Sequence, residues 1–189
     1  MRRSAIIGLA VFATTAVATA PAVAQKLAVA TYHYDNQRTG WNGHETKLTP
    51  ANVGSPVFGF GVLAEVVLDD QVDAQPLVVP NQQITAGPAP GAYQVVYVAT
   101  EANTIYAIRA SNGAVLPKRT LGTPVSTPIG CNLNGPNVGI NSTPVIDVAT
   151  QTLYVVAYTL MSGLPTYQVF ALNLNDLADK IAPVTPLDR

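Results

Sequence analysis

The sequence predicts an all-β fold built from repeated strand triplets, and three observations carry that prediction. The first is an internal echo. Gln75-Pro76-Leu77-Val78-Val79, Val96-Tyr97-Val98-Ala99-Thr100 and Ile105-Tyr106-Ala107-Ile108 come first. Thr143-Pro144-Val145-Ile146, Leu153-Tyr154-Val155-Val156-Ala157 and Val169-Phe170-Ala171-Leu172 repeat them in the same order. The second is composition: charged residues make up only 11% of the chain, while 14 Gly and 15 Pro punctuate runs rich in Val, Ala and Thr. That mix suits short strands joined by tight turns. The third is that no segment holds a sustained helical period, Leu172–Ile181 alone allowing one or two turns. Triplets of strands repeated between turns are the pattern of β-propeller blades, about two of them here, preceded by a lead-in.

Taken in order, residues 1–24 read as an export leader. Arg2 and Arg3 supply the positive start, Ala5 to Val17 the apolar stretch, and Ala22-Val23-Ala24 an A-x-A cleavage site. The apolar stretch is too short for a membrane anchor, and no Cys lies near the cleavage point to take a lipid. The expected mature chain starts at Gln25 and resides in a periplasm or outside the cell. The lead-in spans 25–72. In it Thr49 and Pro50 read as the N-cap and first residue of a single helical turn, and Phe58–Leu68 as a strand with Val62, Ala64, Val66 and Leu68 on one side.

Repeat one spans 73–121. Pro80–Tyr93 reads as a loop between its first two strands, Glu101-Ala102-Asn103 as a hairpin turn, and Ser111-Asn112-Gly113 as a turn in which Gly113 takes a positive φ. A connector rich in Pro, Gly and Asn, 122–142, leads to repeat two, 143–181. There Asp147–Gln151 reads as the first turn and Thr159–Pro165 as the second. The tail, 182–189, carries no strand pattern.

A propeller blade takes about 40–50 residues and a closed ring about 4–8 blades. Two repeats and a lead-in therefore predict an incomplete ring. The expectation is the N-terminal part of a longer protein, with the remaining blades in a C-terminal region or on another chain. The rival architecture is a small sandwich of about eight strands. Lys and Arg number 10, two of them in the leader, against 11 Asp and Glu. No basic stripe is present, which excludes nucleic acid as a partner. Cys131 is the single cysteine of a chain read as exported, so a disulfide to a cysteine outside this sequence is the expectation, with a buried inert thiol as its alternative.

Several stretches together resemble the exported quinoprotein alcohol dehydrogenase-like propellers, whose blades carry pyrroloquinoline-quinone-type repeats. They are Tyr32–Gly40 with Leu48–Val53, Val72-Asp73-Ala74-Gln75-Pro76-Leu77, Val96–Glu101 through Ile105–Ile108, and Gly139–Asp147. The resemblance implies an N-terminal fragment of such a ring and, under one reading, a dehydrogenase using pyrroloquinoline quinone with Ca²⁺. The chain departs from the family's blade motif, Ala-x-Asp-x-x-Thr-Gly-x-x-x-Trp. Ala107 and Gly113 match, but Arg109, Asn112 and Pro117 replace Asp, Thr and Trp. In the second repeat Ala171 matches, while Asn173, Asp176, Leu177 and Ile181 stand at the other places. The adjacent Cys-Cys pair that covers the quinone in the dehydrogenases is missing too. These departures favour a non-catalytic module that binds a protein or a small ligand, or serves envelope assembly, over an enzyme.

The sequence offers few residues for chemistry. Gln75 and Thr143 occupy equivalent places beside the innermost strands, where polar side chains either face a propeller's channel and its ligand or satisfy strand ends. His33, Asp35, Arg38 and His44 match no metal spacing, and an Asp35–Arg38 pair pinning the lead-in is the expectation. Asp69, Asp70 and Asp73 lack the Gly and distal Glu of a calcium loop and read as a solvated turn. Glu101 and Asn103 read as turn residues. No catalytic residue, cofactor ligand or metal ligand is assigned.

Overall fold

The computed structural model describes residues 28–55, 61–126 and 135–186. The leader, Phe58–Phe60 and Cys131 lie outside them, and so does the disulfide expected of Cys131. The described chain is mostly β. One helical turn, α1 (Pro50–Val53), precedes two four-stranded antiparallel sheets and a small two-stranded one. In α1 the Thr49 hydroxyl accepts from the Asn52 N–H while the Asn52 side chain accepts from the Thr49 N–H, a reciprocal cap around Pro50 as the sequence predicts.

The first sheet is an up-and-down meander of β1 (Leu77–Ile84), β2 (Gly91–Ala99), β3 (Thr104–Arg109) and β4 (Val115–Thr120). The strand β1 runs five residues further than the loop expected from Pro80 allows. It does so because it is an edge strand with a register shift between Val79 and Gln82, where Asn81 takes a left-handed φ of 52°. A proline without an N–H is tolerated at such a place. Pro117 sits similarly in the opposite edge strand, at the register shift between the Tyr106–Lys118 and Ile108–Val115 pairs. Asn103 (φ 59°) and Gly113 (φ 71°) close the two later turns at the predicted positions.

The connector carries the pair β5 (Val125–Ser126) and β6 (Asn137–Val138). The second sheet follows as β7 (Val145–Asp147), β8 (Thr152–Met161), β9 (Leu164–Asn173) and β10 (Asp179–Val184), again a meander. Two expectations change here. The β8–β9 ladder continues through Thr159–Thr166, Leu160–Pro165 and Met161–Leu164, so the broad connection shrinks to Ser162-Gly163. Both residues have positive φ (51° and 80°), matching the right-handed twist of a long hairpin. Instead of helical turns and a patternless tail, the chain after Leu177 forms a fourth strand, β10, bulged twice against β9. The bulges break its period, which hides it in the sequence.

Alternation assigns each strand two faces. In the first sheet Leu77, Val79, Val95, Tyr97, Ala99, Ile105 and Ala107 share one buried cluster with Leu153, Val155, Ala157, Phe170 and Leu172 of the second. The two sheets thus enclose one core, closed at its ends by Ile140, Leu174 and Leu177. The far face of the first sheet holds Val98, Tyr106 and Ile108, against which Val66 and Leu68 pack. The strand predicted over Phe58–Leu68 does not form in its described part: residues 61–68 carry no strand and among the described residues pair with none. They lie across a sheet face, where no ladder edge is on offer, and Val62, Leu63 and Val67 point into solvent. Neither sheet closes on itself. No helix among the described residues is long and apolar enough to cross a membrane.

Candidate functional site

Polar side chains gather where the lead-in, the β2–β3 hairpin and the segment before β7 converge. Gln75 and Thr143, the equivalent positions of the two repeats, meet directly: the Gln75 N–H donates to the Thr143 hydroxyl at 2.9 Å. The Gln75 side-chain carbonyl accepts from the His33 N–H at 3.0 Å, and its amide donates to the Thr31 carbonyl at 3.5 Å. Both residues are spent on backbone groups and tie the lead-in to the junction of the two sheets. Val29 adds a bridge to Val78, and Ile146 donates to the Ala30 carbonyl at 2.8 Å.

The lead-in loop differs from its prediction. The Asp35 carboxylate makes no ion pair with the Arg38 guanidinium, although the Arg38 N–H donates to the Asp35 carbonyl at 3.0 Å. The carboxylate accepts from the Thr39 N–H at 3.1 Å and the Thr39 hydroxyl at 2.5 Å, and those bonds hold its pKa below the ordinary value. Arg38 reaches the other way, donating to the Thr31 hydroxyl and the Tyr32 carbonyl at 3.0 and 2.8 Å. The reason is backbone conformation. His33, Tyr34 and Arg38 all have φ between 55° and 79°, so the chain doubles back and turns Arg38 toward its start.

Glu101 and Asn103 do more than turn the chain. Glu101 is 1% exposed, and its carboxylate accepts from the Gly139 N–H at 2.8 Å and the Asn141 amide at 2.5 Å. Asn103 donates to the Tyr158 carbonyl on β8 at 2.9 Å, while its own carbonyl oxygen is buried without a partner. The hairpin of the first sheet is therefore a clamp on the second. Desolvation pushes the Glu101 carboxyl above its ordinary value, opposed by the Gly139 N–H and reinforced by the charges of Asp73 and Asp70. No spacing rule links Glu101 to Gly139 and Asn141. The clue in the sequence is only that a Glu precedes Asn103 in a turn with no other anchor.

The three aspartates accept hydrogen bonds from neighbouring side chains and backbone. Asp69 accepts from the Thr100 hydroxyl at 2.8 Å, and Asp70 from the Asn137 amide at 2.7 Å and the Gln71 N–H at 2.8 Å. Among the described residues no group of three or more His, Cys, Asp and Glu side chains is placed to hold a metal ion. The Ca²⁺ implied by the dehydrogenase reading finds no fitting cage in this part of the fold. Nearby, Tyr34, Asp35, Thr39, Trp41 and His44 line a shallow concavity, and Trp41 is largely exposed.

No family model matches the chain, and no curated protein matches it.

Proposed function

We propose that this chain is an exported β-propeller module that acts as a non-catalytic scaffold, binding a protein or small-ligand partner. The observation that carries this reading is the state of the sheet faces. A finished eight-stranded sandwich turns polar residues outward on both sheets. Here the second sheet turns Val145, Tyr154, Val156 and Tyr167 outward, and the far face of the first sheet is covered by Val66 and Leu68 of a segment that joins no sheet. Two meanders of one repeat, stacked with apolar faces left over, suit blades of a larger ring better than a closed sandwich.

The non-catalytic part of the reading follows from where the polar groups are used. Gln75, Thr143, Glu101 and Asn103 hold the lead-in and the two sheets together. Fold alone supplies no reaction, because propellers host many unrelated functions. The test is to add pyrroloquinoline quinone and Ca²⁺ to the full chain and follow alcohol-dependent dye reduction. No turnover is expected. Tight quinone binding with turnover overturns this reading and establishes the alternative, the N-terminal segment of a quinone-dependent dehydrogenase.

A further inference from the structure

The two sheets are related residue by residue, and the relation exchanges buried for open. In the first sheet Leu77, Tyr97 and Ala107 form one cross-strand row, with Ala99 and Ile105 a second row beside it. In the second sheet Val145, Tyr154 and Ala171 form the matching row, with Val156 and Val169 beside it. The first set is the face that the first sheet buries against the second. The second set is the outer face of the second sheet, where Val145, Tyr154 and Val156 are exposed while Ala171, paired with Ile181 of β10, stays buried. Tyr97 is 2% exposed and Tyr154 43%.

The opposite faces correspond as well. The pairs Val96–Ile108 and Val98–Tyr106, on the far side of the first sheet, match Leu153–Leu172 and Val155–Phe170, which pack onto the first sheet. The contact between the sheets is therefore heterologous: one kind of face meets another kind, and the pattern continues until something ends it.

We propose that the outer face of the second sheet docks a further four-stranded sheet of the same repeat, seated on it as the second sheet is seated on the first. The proposal rests on the reading of the chain as part of a blade stack. The first interface says what the occupant must present: an alternating Leu, Val and aromatic face like that of Leu153, Val155, Phe170 and Leu172. It must also present a backbone carbonyl after its third strand. Tyr97 crosses the existing interface and donates its hydroxyl to the Leu174 carbonyl at 2.6 Å, in the turn that follows β9. Tyr154 makes the same bond to the incoming sheet. The rows of the open face include the stacked rings of Tyr158 and Tyr167, with centroids 4.4 Å apart, and run on to Leu160–Pro165; at the other end Lys180 of β10 is spent on the Thr150 carbonyl and the Thr152 hydroxyl. That face offers no complement to an anionic lipid surface or an acidic peptide.

The test fuses a second copy of residues 121–186 after the full chain. The added sheet then arrives on the segment that already joins the first sheet to the second. The added copy carries Tyr154→Phe so that its peptides differ in mass from the original ones, and tyrosine nitration is read peptide by peptide. Nitration of the original Tyr154 falls roughly tenfold relative to the unfused chain, equivalent to about 1.4 kcal/mol of docking. Tyr154→Phe in the original copy then lowers the unfolding midpoint of the fused protein and leaves that of the unfused chain unchanged. Strand content that rises on fusion while Tyr154 stays reactive overturns the proposal. So does an added copy that remains unfolded, since the face by this argument is what it folds against. An unfused chain that already protects Tyr154 and sediments as a dimer overturns it in favour of a second copy of the chain. Quinone turnover refutes the non-catalytic reading without moving the Tyr154 result, so the two failures are read separately.

Discussion

Replacing Tyr97 by Phe removes one oxygen atom at the centre of the contact between the two sheets. The hydroxyl donates to the Leu174 carbonyl at 2.6 Å, and both groups are buried. Without it the carbonyl keeps its desolvation cost and loses its donor, which amounts to about 1–3 kcal/mol for a buried polar group left unpaired. The ring stays, so no cavity term is added. Tyr154→Phe, at the equivalent place of the second repeat, removes a partly exposed hydroxyl and changes stability by less than about 0.5 kcal/mol. Urea unfolding followed by fluorescence or circular dichroism reads both, a shift of midpoint at constant slope being the expected form. Alkaline pH provides a second signal. Burial raises the Tyr97 pKa in the folded state, so its contribution is complete below the unfolded value of about 10 and is lost as pH climbs above it. The gap between wild type and Tyr97→Phe therefore narrows above about pH 10. Equal costs at Tyr97 and Tyr154, or a gap that widens with pH, refute the assignment of buried and open faces.

Four further outcomes follow from the polar contacts that hold the lead-in and the two sheets together. Glu101→Ala strands the Gly139 N–H and the Asn141 amide and costs about 2–3 kcal/mol in urea unfolding. Glu101→Gln keeps one acceptor. Because the folded carboxyl is raised, the wild type holds its full Glu101 contribution only below the unfolded value of about 4.3 and loses it as pH rises, so the Gln variant gains on it as pH climbs above that value. Gly139→Ala places a methyl group over the Glu101 carbonyl and 2.5 Å from the Asn103 side-chain oxygen, and an unfolding midpoint lowered by about 2–3 kcal/mol is expected. Thr143→Val removes the acceptor of the Gln75 N–H and costs about 1 kcal/mol, with faster proteolysis of the lead-in; an unchanged midpoint and digestion pattern sinks the structural role of Thr143.

Much of the fold was legible because local rules wrote it. The Thr49-Pro50 cap, the Asn103 and Gly113 turns and the apolar alternation of β2, β3 and β8 depend on neighbours a few residues away, and each stands where it was read. The strand β10 and the length of β1 were not legible, since bulges break the period that announces a strand. The candidate site was legible by name and not by role. Gln75 and Thr143 were found by their equivalence, yet only the fold brings them within 2.9 Å of each other. Glu101 read as a turn residue because its partners lie about forty residues further along the chain.

The sequence by itself determined that this is an all-β chain with an internal echo of three strands, in which order those strands come and where most of them turn; the fourth strand of each sheet, β4 and β10, came only from the structure. The sequence could not say which of a strand's two apolar faces is covered. Val96 and Tyr97, or Leu153 and Tyr154, are equally apolar neighbours in the chain. Only the tertiary structure separates them, by sending Tyr97 and Leu153 into the shared core and leaving Tyr154 in water. The physical reason is that hydrophobic burial has no direction of its own. A strand's alternation creates two candidate faces, and the sheet that arrives against one of them decides which is the core.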